Sequence, residues 1–474
     1  MTKEPVGRSA EYKGPIQDYE EYEGSVGDRR IVFIGASYKF VHRVLRDLLL
    51  VGGFNEIHVV VHDIDPVPLK KVSDLLERIA RQKETNLKVT ATLDREEALA
   101  GADAVILSIT TGGKEADFRS FEVCARHGIP VGIGDTLGPA ALARNLRTIP
   151  VAVEIAKDME RLCPEAVLLN FTNPMSAITG ALLRHSEIQT FGLCHSGDEL
   201  FQFFANVFQV KKSEVRLSVG GVNHQSFVTE LLIRGEDRTP EILEATLASG
   251  TGLEDSLLGK KEEVNLQQDI HRILGVWPST GADHLAEFYE YFLTTRRASE
   301  LGLASHLKKV IPGRQPFGRT PCPEIIDYWA YGPEPVGDLH LLTEEHAHEL
   351  LWSYFTGEEY TRVLNILNAG ECVRNLPPEA CVEVLATVAG RKVSAEPVEL
   401  PGAANSLVSR WVTIHDLSIR AALDCDRDAA RQALFLDAHV TDLYDIESML
   451  EDFIAALEEW LPEGWTNSDT AVRR

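Results

Sequence analysis

Short apolar runs alternate with amphipathic stretches in the N-terminal part of the chain. Residues 31–34 are all apolar, the apolar positions of residues 41–49 recur at helical spacing, and residues 57–61 are rich in β-branched side chains. A short apolar run is typical of a parallel strand buried on both faces, and a period of about 3.6 residues is typical of a helix. The pattern therefore predicts a strand, a helix and a second parallel strand.

The same alternation continues to about residue 200. It predicts strands at residues 88–91, 103–109, 130–133, 167–171 and 190–193, and helices at residues 69–83, 96–102 and 119–127, with a further helix that ends at residue 161. Strands that alternate with helices form a doubly wound parallel sheet, and ligands bind outside the carboxyl ends of its strands. We therefore predict a Rossmann-like domain over residues 30–200.

The pattern changes in the second half of the chain. It predicts strands at residues 215–221, 228–233 and 382–388, and helices around residues 270–292 and from residue 407 to the end. Residues 294–345 are irregular and contain several prolines, which suggests an insertion or a lid. The predicted fold class is α/β, a Rossmann-like doubly wound sheet followed by a mixed α+β domain at residues 201–474, with a polar arm at residues 1–29.

Composition and charge narrow the class of protein. A chain of 474 residues that is 44% hydrophobic can bury a large core, and two domains are the default. Its 72 acidic residues against 47 basic ones give a net charge of -25, which argues against a nucleic-acid partner. The seven cysteines include no CxxC pair, and no apolar run resembles a signal peptide or a membrane span. We therefore expect a cytoplasmic protein that acts on a small molecule, with no membrane partner.

A glycine turn joins the first predicted strand to the first helix. Gly35 occupies this turn, and Asp63 stands at the carboxyl end of the second strand. In a dinucleotide-binding unit, the turn places the pyrophosphate on the helix N-terminus and the acid binds the ribose hydroxyls. The turn lacks the second and third glycines of G-x-G-x-x-G. This segment alone supports a dinucleotide site and a ligand-free crossover about equally.

Polar side chains follow several of the predicted strands. Asp135, Asn173 and Cys194 each come just after one of three consecutive strands, and Thr110 lies at the end of an earlier one, where a second loop would face the cofactor. Because the carboxyl ends of parallel strands share one edge of the sheet, these side chains are predicted to line one crevice. Asn173 could instead only shape the turn before Pro174.

The other candidate residues also have structural interpretations. Cys194 and His224 suit a divalent metal as thiolate and imidazole ligands, but they are equally a buried thiol and a core histidine. Asp135 is either a partly buried acid with a raised pKa or the cap of the next helix. Arg144 and Arg147 either bind an anionic or hydroxylated substrate or lie on a solvated helix face.

Several longer motifs resemble one known family. The similarity runs from about Arg30 to Pro462, and its most specific segments are SFEVCARHG, GDTLGPAALARNLRTIP, NFTNPMSAIT, GLCHS, GGVNHQSF and GADHLAEF. The chain resembles glycoside hydrolase family 4, the glycosidases that require NAD and a divalent metal, usually manganese. It most resembles the branch of α-galactosidases and α-galacturonidases that act on unphosphorylated sugars. The resemblance implies a fold like that of lactate and malate dehydrogenases, and a homodimer or homotetramer.

The resemblance also implies roles for the residues of the glycine turn. The NAD pyrophosphate would lie over Gly35, Ala36 and Ser37, with the adenosine ribose on Asp63. The family turn usually reads Gly-x-Gly-Ser, and this chain lacks one residue of it. We therefore expect weaker NAD binding or a shifted pyrophosphate.

On the sugar side, Cys194 and His224 match the two metal ligands of the family, and Asp135 matches a candidate acid for the leaving group. The metal would chelate O2 and O3 of the sugar. The residues that the resemblance places around the sugar are Asn173, Arg144, Arg147 and His195.

The family mechanism explains why one site would hold both NAD and a metal. Hydride passes reversibly from C3 of the sugar to NAD, a base removes the acidified proton at C2, and the aglycone is eliminated from C1 before water adds. The galacturonidase-like pattern Gly-Asp-Arg-His-Leu reads Gly-Ala-Asp-His-Leu here, so Asp283 and His284 are rival candidates for the base. Two other classes of function remain open: an NAD-dependent dehydrogenase of a hydroxy acid or sugar, and a protein that binds sugar or NAD without catalysis.

Overall fold

The computed structural model describes residues 22, 24–38, 40–85, 87–129, 131, 134–194, 196–249, 266–289, 323–337, 339–343 and 345–466. The strands are β1 (Arg29–Ile34), β2 (Ile57–His62), β3 (Lys88–Thr92), β4 (Ala104–Leu107), β5 (Val167–Asn170), β6 (Thr190–Gly192), β7 (Val215–Val222), β8 (Gln225–Ile233), β9 (Glu236–Asp237), β10 (Trp277–Pro278), β11 (Tyr360–Leu367), β12 (Cys381–Ala389) and β13 (Lys392–Ala395). The helices are α1 (Val41–Val51), α2 (Pro66–Lys83), α3 (Arg95–Leu99), α4 (Gly113–Arg126), α5 (Pro139–Leu162), α6 (Met175–His185), α7 (Ser196–Phe208), α8 (Ile242–Ser249), α9 (Leu266–Leu274), α10 (Ala282–Phe288), α11 (Pro323–Tyr331), α12 (Ala347–Thr356), α13 (Gly402–Asp424), α14 (Arg427–Leu436) and α15 (Asp445–Leu457).

Six parallel strands form the first part of the main sheet, in the order β3-β2-β1-β4-β5-β6. This is the order of a doubly wound dinucleotide-binding sheet, which reverses direction between β1 and β4. Its strands are short, and the central strands β4 and β5 are buried along their whole length. The predicted Rossmann-like fold class is confirmed. The strand predicted at residues 130–133 lies largely outside the described residues.

Three strands from the second half of the chain extend the same sheet. β11 pairs antiparallel with β6, and β12 and β13 follow it outward, which gives nine strands in all. β12 was predicted, but β11 and β13 were not. The reason for missing β11 is that Arg362 and Asn365 interrupt its apolar run, although both are buried. The division into domains at residue 200 stays a prediction.

A second, smaller sheet carries part of the candidate site. β7 and β8 form an antiparallel hairpin, and β10 and β9 both pair with β8. Residues 223–224 form the turn of this hairpin. Phe203 and Phe204 of α7 pack on Trp277 of β10 in a separate hydrophobic cluster.

The helix predicted around residues 270–292 is wrong, because the structure breaks it into α9, β10 and α10. Gly275 has a φ of +75° just after α9, a conformation that ends helices, and Pro278 lies in β10. In the C-terminal part, α13 packs against α5 and α15 packs against α4. Among the described residues, no helix is long and apolar enough to cross a membrane.

Candidate active site

The first strand ends in a tight turn at Gly35. Gly35 has a φ of +96°, and a Cβ atom there would lie 2.2 Å from the carbonyl oxygen of Ser108. Such a φ disfavours any other residue, and the contact leaves no space for a side chain. The Ala36 amide donates a hydrogen bond to Oδ2 of Asp63 at 2.7 Å. The predicted cofactor-binding residues thus lie together, and their contact with NAD stays a prediction.

Two arginines of α5 hold the loop that follows β4. Nη2 of Arg144 donates to Oγ1 of Thr110, and Nε of Arg147 donates to the carbonyl oxygen of Thr111, both at 2.8 Å. Both guanidinium groups pair with Asp117. Burial lowers the pKa of Arg147 to about 10, although Asp117 opposes the decrease. The interpretation as a solvated helix face is wrong, because Arg144 and Arg147 are 9% and 1% exposed. Their contact with a sugar stays a prediction.

The two predicted metal ligands, Cys194 and His224, lie side by side. Sγ of Cys194 is 3.1 Å from Nε2 of His224. Cys194 follows β6, whereas His224 lies in the turn between β7 and β8. The φ of His224 is +63°, a conformation that residues other than glycine rarely adopt. The structure therefore brings one residue from each sheet into direct contact, and does not place them as unrelated core residues.

The spacing of this pair suits two ligands of one metal ion. Ligand distances of about 2.3 Å for sulfur and about 2.1 Å for nitrogen separate the two atoms by about 3.6 Å at the tetrahedral angle, so the hydrogen-bonded pair at 3.1 Å would need only a small adjustment to share an ion. Among the described residues, no group of three or more His, Cys, Asp or Glu side chains is placed to hold a metal. Water or substrate oxygens are donors that could complete the coordination of an ion held by this pair. His195 lies outside the described residues.

Asp135 lies close to the metal-ligand pair and is held as a carboxylate. Its burial alone would raise its pKa, but Arg144, His284 and His224 together lower the pKa to about 2. The sequence interpretation of an acid with a raised pKa is therefore wrong for the protein without ligands. The proposed role of Asp135 as an acid for the leaving group stays a prediction.

The loop around Asp135 connects it to its neighbours. Nδ2 of Asn173 donates to Oδ2 of Asp135 at 3.4 Å, and Oγ1 of Thr136 donates to Oδ1 at 2.9 Å. Oγ1 of Thr136 is also 3.5 Å from Nδ1 of His224. The N-cap of α5 is Gly138, which makes no side-chain cap, so the interpretation of Asp135 as the helix cap is wrong.

Helix α10 brings His284 onto the metal-ligand pair. The His284 and His224 ring centroids are 3.8 Å apart, with an interplanar angle of 34°. Glu287 is 4% exposed, and its Oε1 accepts a hydrogen bond from the Gly134 amide at 2.9 Å. Its Oε2 is 3.7 Å from Nδ1 of His284. The Asp283 side chain lies outside the described residues, so His284 is the candidate base that the structure places at the site.

Sequence reasoning did not identify Thr136 or Glu287. The spacing of His284 and Glu287 by three residues would have indicated one face of a helix. Nothing in the sequence pattern indicates that Thr136 is a site residue, except its position next to Asp135.

The strand order and the glycine turn define a Rossmann-type dinucleotide-binding fold. Its polar, reactive side chains lie at the carboxyl ends of the strands, where α/β enzymes bind their ligands. A model of the family 4 glycosyl hydrolases matches residues 30–209, and a model of the family 4 glycosyl hydrolase C-terminal domain matches residues 219–440. The chain therefore belongs to family 4 of the glycosyl hydrolases and is a glycosidase, which confirms the predicted family.

Individual relatives agree with this assignment. The alpha-galactosidase of Bacillus subtilis (strain 168) is 32% identical over 452 residues, which cover 92% of this chain and 99% of that protein. The alpha-galacturonidase of Thermoanaerobacterium saccharolyticum is 28% identical over 416 residues, 78% of this chain and 82% of that protein. The 6-phospho-beta-glucosidase of Thermotoga maritima, solved with manganese, NAD+ and glucose-6-phosphate, is 21% identical and has a TM-score of 0.73 over 91% of this chain and 99% of that one. This likeness confirms the fold.

Proposed function

We propose that this chain hydrolyses a non-phosphorylated α-glycoside, an α-galactoside or α-galacturonide, with NAD and a divalent metal, preferably Mn²⁺. The observation that carries the proposal is the contact between Cys194 and His224 next to Asp135 and Asn173 at the strand ends. The related alpha-galactosidase and alpha-galacturonidase support the substrate class. The solved relative with manganese and NAD+ supports the cofactors.

The residues that follow β4 contact both the glycine turn and the sugar-side residues, which supports a single site. Gly35 packs against the backbone of Ser108, at the end of β4. The next amide, that of Ile109, donates to Oγ1 of Thr172 at 3.1 Å, one residue before Asn173. Thr110 then accepts its hydrogen bond from Arg144. These contacts would let the residues after β4 hold the cofactor on one side and order the sugar-side residues on the other.

In this proposal, each side chain described at the candidate site has a specific role. NAD and the metal, when bound, would supply a reversible hydride acceptor and polarisation of sugar oxygens. Cys194 and His224 would hold the metal, while the Asn173 amide and the Asp135 carboxylate orient sugar hydroxyls. His284 is the proposed base at C2, and Asp283 is the alternative candidate. Protonation of the leaving group by Asp135 requires that bound substrate raise its pKa.

A panel of aryl glycosides tests the proposal. We expect the purified chain to cleave aryl α-galactosides or α-galacturonides only when NAD and Mn²⁺ are both present. The 6-phosphorylated α-galactoside and the β-anomers of both sugars serve as controls. Cleavage of only the phosphorylated substrates would contradict the substrate class, and cleavage without NAD would contradict the cofactor role.

The Rossmann fold also supports one rival, an NAD-dependent dehydrogenase. A dehydrogenase accumulates NADH in proportion to the substrate consumed, whereas the proposed glycosidase regenerates NAD in each cycle. Binding of NAD or sugar without turnover would instead favour a non-catalytic protein. For localisation, we propose the cytoplasm, because seven cysteines, an odd number without CxxC spacing, do not suggest a secreted disulfide scaffold.

A further inference from the structure

A fully buried carboxylate lies behind the candidate metal site. Glu383 of β12 is 0% exposed. Its hydrogen bonds within the described part of the chain all come from uncharged groups: Nδ2 of Asn223 at 2.7 Å, Nδ2 of Asn365 at 3.3 Å and Oγ of Ser226 at 2.7 Å. Burying a carboxylate without a cation is unfavourable, and its oxygens act only as acceptors. Such a residue is therefore suited to gathering donors from several segments.

The three donors belong to the segments that carry the candidate site. Asn223 immediately precedes His224 in the turn between β7 and β8. Asn365 of β11 lies opposite Glu383 in one direction and opposite Gly192 of β6 in the other. Because Cys194 follows β6, this row across the sheet connects Glu383 to the strand that leads to Cys194.

The third donor extends the network to α10. Oγ of Ser226 lies 2.5 Å from Oγ of Ser279, and the Ser279 amide donates to the carbonyl oxygen of Ser226 at 2.9 Å. Ser279 lies two residues before Gly281, the N-cap of the helix that carries His284. All of the polar groups in this network are buried.

From these contacts we infer that Glu383 is a positioning residue, which holds the Cys194 and His224 segments, and the start of α10, in the arrangement that binds the metal. The inference rests on the proposed function, because it assumes that Cys194 and His224 bind Mn²⁺. It assigns Glu383 no contact with the metal or the substrate.

Three substitutions separate hydrogen bonding from charge. Glu383→Met has a similar shape but leaves Asn223 and Asn365 without their acceptor. Glu383→Asp keeps the charge, but it is shorter by one methylene group and cannot reach all three donors together. Glu383→Gln can keep its oxygen on both asparagines and place its amide on Ser226, whose hydroxyl can accept instead of donating.

The control is a buried polar side chain that stabilises the loop between β11 and β12 and makes no hydrogen bond to Glu383. Asn368, 0% exposed, donates to the carbonyl oxygens of Val373, Leu376 and Pro377. Asn368→Ala should therefore lower stability without moving the metal ligands. NAD affinity is an internal control, because Gly35 and Asp63 lie at the β1 and β2 end of the sheet.

The experiment is calorimetric titration of the metal-free full chain with Mn²⁺ and, separately, with NAD, alongside thermal unfolding. We expect Glu383→Met and Glu383→Asp to weaken Mn²⁺ binding about 10-fold to 100-fold, as loss of a residue that orients metal ligands usually does. Glu383→Gln should bind close to the wild-type affinity, and NAD affinity should be unchanged in all variants.

Wild-type Mn²⁺ affinity in Glu383→Asp would overturn the inference, even if Glu383→Met does not fold. An equal loss in Asn368→Ala would also overturn it, because general loosening would then explain the effect. Titration of Cys194→Ser with Mn²⁺ tests the underlying assumption that Cys194 and His224 bind the metal. If this variant binds Mn²⁺ as the wild type does, the proposed metal site itself fails, whatever Glu383 does.

Discussion

At the scale of single residues, the candidate site depends on two proposed metal ligands, Cys194 after β6 and His224 in the turn between β7 and β8. Cys194→Ser and His224→Ala should each lower Mn²⁺-dependent activity by more than the roughly 10-fold to 100-fold seen for residues that only orient ligands. The fold should survive, because Cys194 is half-buried and His224 lies in a turn. The comparison is steady-state cleavage at saturating Mn²⁺, with Cys425→Ser, at a second half-buried cysteine, as the control. Near-full activity of either variant in chelator-treated buffer would refute the metal assignment.

The glycine turn offers a second residue-scale prediction. Gly35→Ala and Gly101→Ala both place an L side chain at positive φ, at +96° and +68°, which costs about 1–2 kcal/mol. A Cβ at Gly101 meets nothing within 4 Å, whereas a Cβ at Gly35 collides with Ser108. Gly35→Ala should therefore unfold at a lower denaturant concentration than Gly101→Ala and lose about 10-fold or more in NAD affinity, at least ~1.4 kcal/mol. Equal NAD affinity in both variants would contradict the proposed role of Gly35 in NAD binding.

At the scale of elements, the N-terminal sheet could be predicted because its strands and helices form local, regular patterns. β11 could not, since Arg362 and Asn365 look like surface residues until a neighbouring strand buries them. The contact between the His284 and His224 rings could not be predicted either, because it joins α10 to the turn between β7 and β8. Residue chemistry offered Cys194 and His224 as a possible metal pair, but only the family resemblance favoured that interpretation over a buried thiol and a core histidine. Glu383 lies in the strand predicted at residues 382–388. The apolar pattern of that strand gives no sign that a carboxylate within it would be buried and would connect segments of the site.

The packing of α1 gives a pH-dependent prediction. Burial raises the pKa of Asp47 to about 6, although hydrogen bonds from the Thr343 amide and hydroxyl oppose the increase. The native state therefore binds this proton more tightly than the unfolded chain. The resulting stabilisation is complete below about pH 4 and is lost as the pH rises through about 6.

Asp47→Asn should remove this dependence, because the amide is neutral and can keep both contacts with Thr343. Urea unfolding should show the variant more stable than the wild type by on the order of 2 kcal/mol at about pH 8, and nearly equal at about pH 4. Asp28→Asn, on an exposed residue, is the control and should change neither value. A constant difference across this pH range would show that Asp47 does not titrate as described.

At the scale of the whole molecule, we expect a homodimer or homotetramer. The resemblance to the family motivates this prediction, and the surface near α14 and α15 exposes three large apolar residues, Phe435 at 65%, Leu443 at 62% and Tyr444 at 89%. Exposed apolar clusters are typical of protein interfaces. Sedimentation velocity at micromolar concentration should give two or four chains per particle. A monomer there would contradict the prediction.

In the proposed catalytic cycle, a base of this chain removes the proton at C2 of the sugar. The most direct measurement of this step is NMR of the sugar product formed in deuterated water with NAD and Mn²⁺ present. We predict deuterium at C2 of the product, and slower incorporation together with slower cleavage in His284→Gln or Asp283→Asn, whichever replaces the base. Cleavage that leaves the original hydrogen at C2 would contradict the proposed mechanism.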